Sequence, residues 1–396
     1  MARKMKASGI EWIGEIPEGW EITKIKYIVS SVTDIDHFMP DSAEFGIPYL
    51  MIGDLKDLSS SIDWDSSKKI SIEDYKKLSI KSRPQIGDII FARYASIGTT
   101  CYIDTDRDFL VSYACLTIHP SDLIIGKFLS YYLKSSSFAE DVLRRTNSNT
   151  QGNVGKDSLV NATIVLPSII EQTQIVNFLD AKCSDINAML SKTRASIEEY
   201  KKLKQAVITQ AVTEGTPAMF SSPHSVKLKY LISIVSGEAI RNEQLSDFGE
   251  YPVYGGGEII GFCSQYNTSE GSLIIGRVGA RCGCVTHTTC KSWATDNALI
   301  VLPTCNAKYM YYVIGHCQLN NLNTSNAQPL ITSTKIKNVV VPYFSDAMQQ
   351  QEIADYLDAK CAEIDGLIAK KEQLVKELES YKKSLIYEVV TGKREV

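Results

Sequence analysis

Long hydrophobic runs are missing from this 396-residue chain. Its longest apolar stretches, such as Ala298-Leu299-Ile300-Val301-Leu302, have the length of a strand, well short of the ~20 residues a membrane helix needs. An export signal is missing too. Met1-Ala2-Arg3-Lys4 is basic, but no apolar segment or small-residue cleavage site follows, so a cytoplasmic location is expected. The ten cysteines are scattered and, with no export signal, are expected to be reduced thiols. The tightest group is Cys282-Gly283-Cys284, with His287 and Cys290 nearby. Structural zinc sites space their paired ligands more widely, and two ligands one residue apart on a strand leave little room for a tetrahedron. They are read as small strand residues, and no metal is expected.

Catalytic motifs are equally scarce. There is no Asn-Pro-Pro-aromatic or Asp-Pro-Pro-Tyr run, no Gly-x-Gly-x-x-Gly opening a helix, and no phosphate-loop Gly-Lys-Ser/Thr. The five histidines (His37, His119, His224, His287 and His316) are isolated, with no motif linking them to a nucleophile. Loop acids such as Asp54 and Asp57 could form a carboxylate cluster, but solvated surface accounts for them more simply. No catalytic residue is expected, and the chain is not read as an enzyme. Positive charge is not in excess either: the formal net charge is −4. Net charge does not fix the local field, so a basic face remains compatible with it.

What is present is internal duplication. Gln172 to Thr213 matches Gln350 to Thr391 without a gap, at a constant offset of 178 (Cys183 to Cys361, Val212 to Val390). In the first copy Ile175, Leu179, Ile186, Leu190, Ile197, Tyr200 and Val207 recur at helical spacing; in the second Ile353, Leu357, Ile364, Ile368, Val375, Leu378 and Leu385 do the same. Lys192, Arg194, Glu198 and Glu199 flank one seam, and Lys370, Lys371, Glu372 and Glu377 the other. A narrow apolar seam with charged flanks is a coiled-coil pattern. Pro167 and Pro342 precede the helices, and Gly215 and Gly392 follow them. At about 1.5 Å per residue each makes a rod of roughly 60 Å. Ile186, Leu190, Ile197, Ile364, Ile368 and Val375 are expected to lie in the seam through which the two helices pair. The other possibility is that each helix forms an edge of its own domain core.

The preceding segments also correspond, more loosely. Lys24-Ile25-Lys26-Tyr27-Ile28 resembles Lys227-Leu228-Lys229-Tyr230-Leu231, and Gly87-Asp88-Ile89-Ile90-Phe91-Ala92-Arg93 resembles Gly271-Ser272-Leu273-Ile274-Ile275-Gly276-Arg277. Lys127 through Leu133 and Lys308 through Ile314 each read as a short helix, while short β-branched runs punctuated by Gly, Asn and Asp read as strands. The expected fold is α+β with an internal pseudo-twofold repeat: two strand-rich domains, 1–166 and 217–342, separated by two long antiparallel coiled-coil helices, 167–216 and 343–396.

Gly9-Ile10-Glu11-Trp12-Ile13-Gly14-Glu15-Ile16-Pro17-Glu18-Gly19-Trp20 resembles the N-terminal stretch of the specificity subunit of type I restriction-modification systems. So do Gly276-Arg277-Val278-Gly279-Ala280, Trp293-Ala294-Thr295-Asp296-Asn297-Ala298 and the two helices ending in Val-Thr. The resemblance covers essentially the whole chain in the family's order. It implies that each strand-rich domain is a target-recognition domain reading one part of a bipartite, asymmetric site in double-stranded DNA. It implies partners as well: two methyltransferase subunits carrying S-adenosylmethionine, and restriction subunits that use ATP with Mg. No cofactor is expected in this chain. One departure is that Asn149-Thr150-Gln151-Gly152-Asn153 lacks the proline of Asn326-Ala327-Gln328-Pro329.

Under that resemblance, candidate DNA contacts are Arg93 and Tyr94 in the first domain and Arg277 and Arg281 in the second, since arginine offers guanine a bidentate match. Arg93 and Arg277 occupy the same framework position, so bracing a loop or binding phosphate is the competing account. Asn147, Asn149, Thr150 and Gln151, with Asn323, Ser325, Asn326 and Gln328, carry amides and hydroxyls suited to adenine or phosphate, and equally to turn chemistry. Tyr254-Gly255-Gly256-Gly257 suits either close backbone approach to a ligand or a tight turn. Two other functions stay open: a coiled-coil assembly scaffold that binds no DNA, and the specificity subunit of another restriction-modification class.

Overall fold

The computed structural model describes residues 3–145, 154–219, 222–322 and 329–396. Two compact units divide the chain, Met1–Lys192 with Leu374–Val396, and Thr193–Gln373. The first unit contains β1 (Met5–Ala7), β2 (Glu15–Pro17), β3 (Glu21–Lys24), β4 (Val29–Thr33), β5 (Ile47–Leu50), β6 (Lys68–Ile70), α1 (Ile72–Leu78), β7 (Ile89–Ala92), β8 (Thr100–Tyr102), β9 (Leu110–Val111), β10 (Cys115–Pro120), α2 (Gly126–Leu133), α3 (Ser136–Arg145), α4 (Lys156–Asn161) and β11 (Thr163–Leu166). Helix α5 (Ile169–Glu214) follows. The second unit contains β12 (His224–Lys227), β13 (Ile232–Ser236), β14 (Tyr251–Gly255), β15 (Glu258–Cys263), β16 (Leu273–Gly276), β17 (Val285–His287), β18 (Trp293–Ala294), β19 (Ala298–Pro303), α6 (Ala307–His316), α7 (Ser333–Lys337) and β20 (Val340–Tyr343). Helix α8 (Ala347–Val390) ends the fold, which is α+β.

The repeat extends to strand order. An antiparallel sheet β4-β10-β7-β8 in the first unit matches β13-β19-β16-β17 in the second. A three-stranded sheet β6-β5-β9 matches β15-β14-β18, and in both the last strand runs parallel to the middle one. The pair β3–β11 matches β12–β20 and closes each strand-rich part at its base. Strands β7 and β16 are apolar throughout because both faces are covered. Ile89 and Phe91 face one core while Ile90 faces another; Leu273 and Ile275 face one core while Ile274 faces another.

Each long helix starts where local chemistry caps it. Ser168 Oγ accepts from Glu171 N at 3.3 Å, and Glu171 Oε2 accepts from Ser168 N at 3.3 Å, a reciprocal capping box. Asp346 Oδ1 accepts from Met348 N at 2.7 Å ahead of α8. Gly215 and Gly392 terminate the helices with φ of +88° and +74°, values that favour glycine. In the first unit Leu179, Cys183, Ile186 and Leu190 of α5 share a core with Leu385, Ile386, Val389 and Val390 of α8 and with Phe91, Leu116 and Phe128. In the second, Ala211 and Val212 share a core with Ile353, Leu357 and Cys361. The helices run antiparallel within each unit. Phe178 lies beside Arg394 and Asn187 beside Lys382, just as Tyr200 lies beside Lys371 and Lys204 beside Asp365. Of the six seam residues singled out, Ile186, Leu190, Ile197 and Ile364 are buried, and Ile368 and Val375 are half-buried. The seam serves two purposes, because the helix segments that pair are also part of each unit's own core.

The N-terminal motif has a packing explanation. Ile13, Ile16 and Trp20 are buried in the first core against the end of α8. Tyr387 Oη donates to Trp12 O at 3.4 Å and Lys393 Nζ to Ile13 O at 2.6 Å. A Cβ on Gly392 would sit 2.4 Å from Pro17, so glycine there permits the contact as well as the turn.

Candidate nucleic-acid interface

Both units build the same junction at the end of an inner strand. After β7, Arg93 N donates to Ala114 O at 2.9 Å, and Arg93 O accepts from Val154 N at 2.9 Å. After β16, Arg277 N donates to Asn297 O at 2.9 Å, and Arg277 O accepts from Ile331 N at 3.0 Å. Each junction thus gathers three segments: the strand end, the residue just before β10 or β19, and the chain at Val154 or Ile331. Asn147, Asn149, Thr150, Gln151, Asn323, Ser325, Asn326 and Gln328 lie outside the described residues. Val154 and Ile331, which follow them in the chain, pair with the two arginines.

The four described candidates differ in their surroundings. Arg93 is largely enclosed: its side chain is 14% exposed, Nη1 lies 3.4 Å from Asp34 Oδ2, and its guanidinium sits 5.6 Å from the Tyr94 ring centroid. Tyr94 itself is exposed. Arg277 is half-buried, and its guanidinium meets no hydrogen-bonding or ionic partner among the described residues. Arg281 is exposed, 3.8 Å from Glu258 Oε2, a distance at which water screens most of the attraction. The glycine run is a tight turn. Gly255 pairs with Glu258, and Gly256 and Gly257 have φ of +69° and +106°, as a two-residue hairpin requires.

Two expectations need correcting. Cys282-Gly283-Cys284 is not strand but a turn before β17: Gly283 has φ +84°, and a Cβ there would lie 2.3 Å from Asn320 N. Cys282 is buried and Cys284 exposed, so they do not share a face. His119 is not isolated. Its Nδ1 lies 2.9 Å from Asp88 Oδ2 and its Nε2 3.1 Å from Thr33 Oγ1, which is 2.9 Å from Ser82 Oγ. That chain of groups ties β10 to β4 and to the loop entering β7. Among the described residues, no group of three or more His, Cys, Asp or Glu is placed to hold a metal ion.

A duplicated polar clasp went unnoticed in the sequence. Asp180 on α5 accepts from Lys127 Nζ at 2.7 Å and from Tyr131 Oη at 2.8 Å. Asp358 on α8 accepts from Lys308 Nζ and, at 2.8 Å, from Tyr312 Oη. Burial and then the neighbouring carboxylate push both tyrosine hydroxyls well above their ordinary pKa, so they remain donors. Each clasp fastens the short helix of the strand-rich part to a long helix. Lys127 and Lys308, Tyr131 and Tyr312, and Asp180 and Asp358 sit at matching places in the two copies, which was the available signal. Beside the first clasp, burial raises the pKa of Asp57 but Lys134 and Lys382 more than offset this, holding it below the usual carboxylate range. Replacing Asp358 with Ala is expected to lower stability by about 1 kcal/mol, a modest figure because the carboxylate is a third exposed. Urea unfolding followed by circular dichroism measures it, and an unmoved midpoint would show that the clasp contributes nothing.

The described residues contain no helix long and apolar enough to cross a membrane. The model of the type I restriction modification DNA specificity domain matches residues 17–199 and 224–377. The chain is 28% identical over 212 residues to a putative type I restriction enzyme MjaX specificity subunit of Methanocaldococcus jannaschii, a match covering 51% of this chain and 48% of that one. It is 24% identical over 286 residues to the type I restriction enzyme EcoprrI specificity subunit of Escherichia coli, covering 68% and 70%. Thus the match spans about half the length of the first relative and more of the second. In fold it is similar to a chain from the structure describing complex assembly and conformational transition of the type I R-M system, with a TM-score of 0.74, 16% identity, and coverage of 96% and 99%. The HsdS subunit from Thermoanaerobacter tengcongensis gives a TM-score of 0.53 at 16% identity, covering 96% and 98%. With both strand-rich regions and most of both long helices inside the matched residues, the chain belongs to the type I restriction modification DNA specificity domain family.

Proposed function

We propose that this chain is the DNA-specificity subunit of a type I restriction-modification complex, a host-defence assembly in the cytoplasm. It catalyses nothing itself. It binds a bipartite, asymmetric site in double-stranded DNA and docks two methyltransferase subunits and the restriction subunits. S-adenosylmethionine belongs to the former, and ATP with Mg to the latter.

The observation that carries this reading is one framework used twice, with unlike sequences joined to it. Matching strands deliver Arg93 and Arg277 to matching junctions, yet the residues that precede Val154 and Ile331 in the chain differ in sequence. Duplex DNA has near-twofold backbone symmetry, so two equivalent modules can dock alike, their separation fixing the spacing of the half-sites. Phosphate contacts position such modules while base edges specify, so a shared scaffold with unlike loops suits a site with two different halves.

Producing the chain with its methyltransferase in cells, and mapping methylated bases, is expected to reveal a single split motif. Affinity of the complex for that duplex should fall steeply as salt rises. An absence of both a methylated motif and salt-sensitive duplex binding would favour the assembly scaffold, to which the net charge of −4 lends some support.

A further inference from the structure

The two framework arginines are equivalent in position but opposite in electrostatic state. On the inner strands, Ala92 pairs with Cys115 and Gly276 with Ala298. Two residues further along the central strand, Thr117 pairs with Thr33 and Ile300 with Val235. The next residue on the outer strand is therefore Asp34 in the first unit and Ser236 in the second. Asp34 is the carboxylate that pairs with Arg93. Ser236 is exposed and carries no charge. The residue after the arginine differs too: Tyr94 offers Arg93 an aromatic face, whereas Val278 offers Arg277 none. Arg93 is thus neutralised and enclosed. Arg277 holds a positive charge without a partner among the described residues, at the junction to which Leu330 and Ile331 return.

We propose that Arg277 is a DNA phosphate anchor belonging to the second recognition domain, and that Arg93 is a brace holding Tyr94 in the first. A partly desolvated guanidinium favours an anionic acceptor, and its planar fork matches two oxygens of a phosphate. A position fixed by the shared framework suits a contact that carries no sequence information. The two domains therefore grip the duplex unequally, the second making one more ionic contact at this position. This inference rests on the DNA-reading function proposed above.

The test uses the full chain assembled with its methyltransferase subunits, a fluorescently labelled duplex carrying the mapped site, and affinity measured across a salt series. R277Q should weaken every base-substituted version of the site alike and reduce the slope of log affinity against log salt by about 0.9. Over a fourfold rise in salt, that corresponds to roughly 3.5-fold less loss of affinity than in the unsubstituted complex. R93Q should leave the slope unaltered. Two exchanges make the test reciprocal: S236D should reproduce R277Q by installing the missing carboxylate, and D34S should steepen the slope by freeing Arg93. An R277Q slope equal to the parent's overturns the anchor, as does a loss confined to sites with one particular base pair, which would make Arg277 a base reader. If S236D and D34S both leave the slope unmoved, the electrostatic account is overturned. A parent complex whose affinity ignores salt removes the DNA-reading function itself, whereas a steep parent slope with unaltered R277Q removes only this inference.

Discussion

Exchanging residues 21–166 for the matching stretch of a relative is expected to replace one half of the recognised sequence completely and to leave the other half unaltered. The two cut points are adjacent in space, because Glu21 pairs with Leu166 across the antiparallel β3–β11 ladder that closes the domain. Everything between them folds around strands whose order is self-contained: β4-β10-β7-β8 and β6-β5-β9. The cut leaves Trp20 in the recipient, where its Nε1 donates to Glu171 Oε1 at 3.1 Å. It also leaves α5 intact with its capping box at Ser168 and Glu171. The graft must bring Lys127 and Tyr131 or their equivalents, since Asp180 on the recipient helix awaits both. Methylated-base mapping of the chimera reads the outcome. Altered bases in both halves would contradict modular reading, and so would an unchanged motif.

Trp20→Ala is expected to cost about 3–5 kcal/mol, the usual range for emptying a large aromatic site in a core. The ring is 1% exposed and lies in the core shared by the N-terminal segment, the start of α5 and the end of α8. Its loss removes a donor from Glu171 and the cation–π contact with Arg3, 5.1 Å from the ring centroid. The repeat offers no backup, because the corresponding position in the second unit is Pro223. Hydrogen exchange followed by mass spectrometry resolves the two units separately, which a single unfolding curve does not. Amides near the end of α8 should exchange roughly two to three and a half orders of magnitude faster, while those in β16 and β19 keep their protection. Equal loss of protection in both units would show that the site stabilises the chain as a whole. No loss would show that the cavity closes without cost.

Much of this architecture was legible because its causes are local. Apolar residues at helical spacing over some forty positions leave few alternatives to a long helix, and an offset of 178 kept across all of them marks duplication. Helix starts are legible as well: Pro167 marks the boundary, and Ser168 and Glu171 form the cap. Where structure and sequence pattern part, the cause is conformational. Cys282 and Cys284 were placed on one face of a strand, but Gly283 adopts a left-handed conformation and turns the chain between them. His119 looked isolated because Asp88 and Thr33 lie 31 and 86 residues away along the chain.

Duplication, two long helices, a strand-rich domain ahead of each and the family were all readable from the sequence alone. These follow from periodicity and repetition, which need no knowledge of which residues meet. Only the tertiary structure decided what each candidate side chain can do. Arg93 and Arg277 read identically in the chain, at the end of matching strands. One is neutralised by Asp34, 59 residues distant, while the equivalent strand position in the second unit is an uncharged Ser236. The charge available at a site is the sum of what the fold brings there, and that sum runs over neighbours in space.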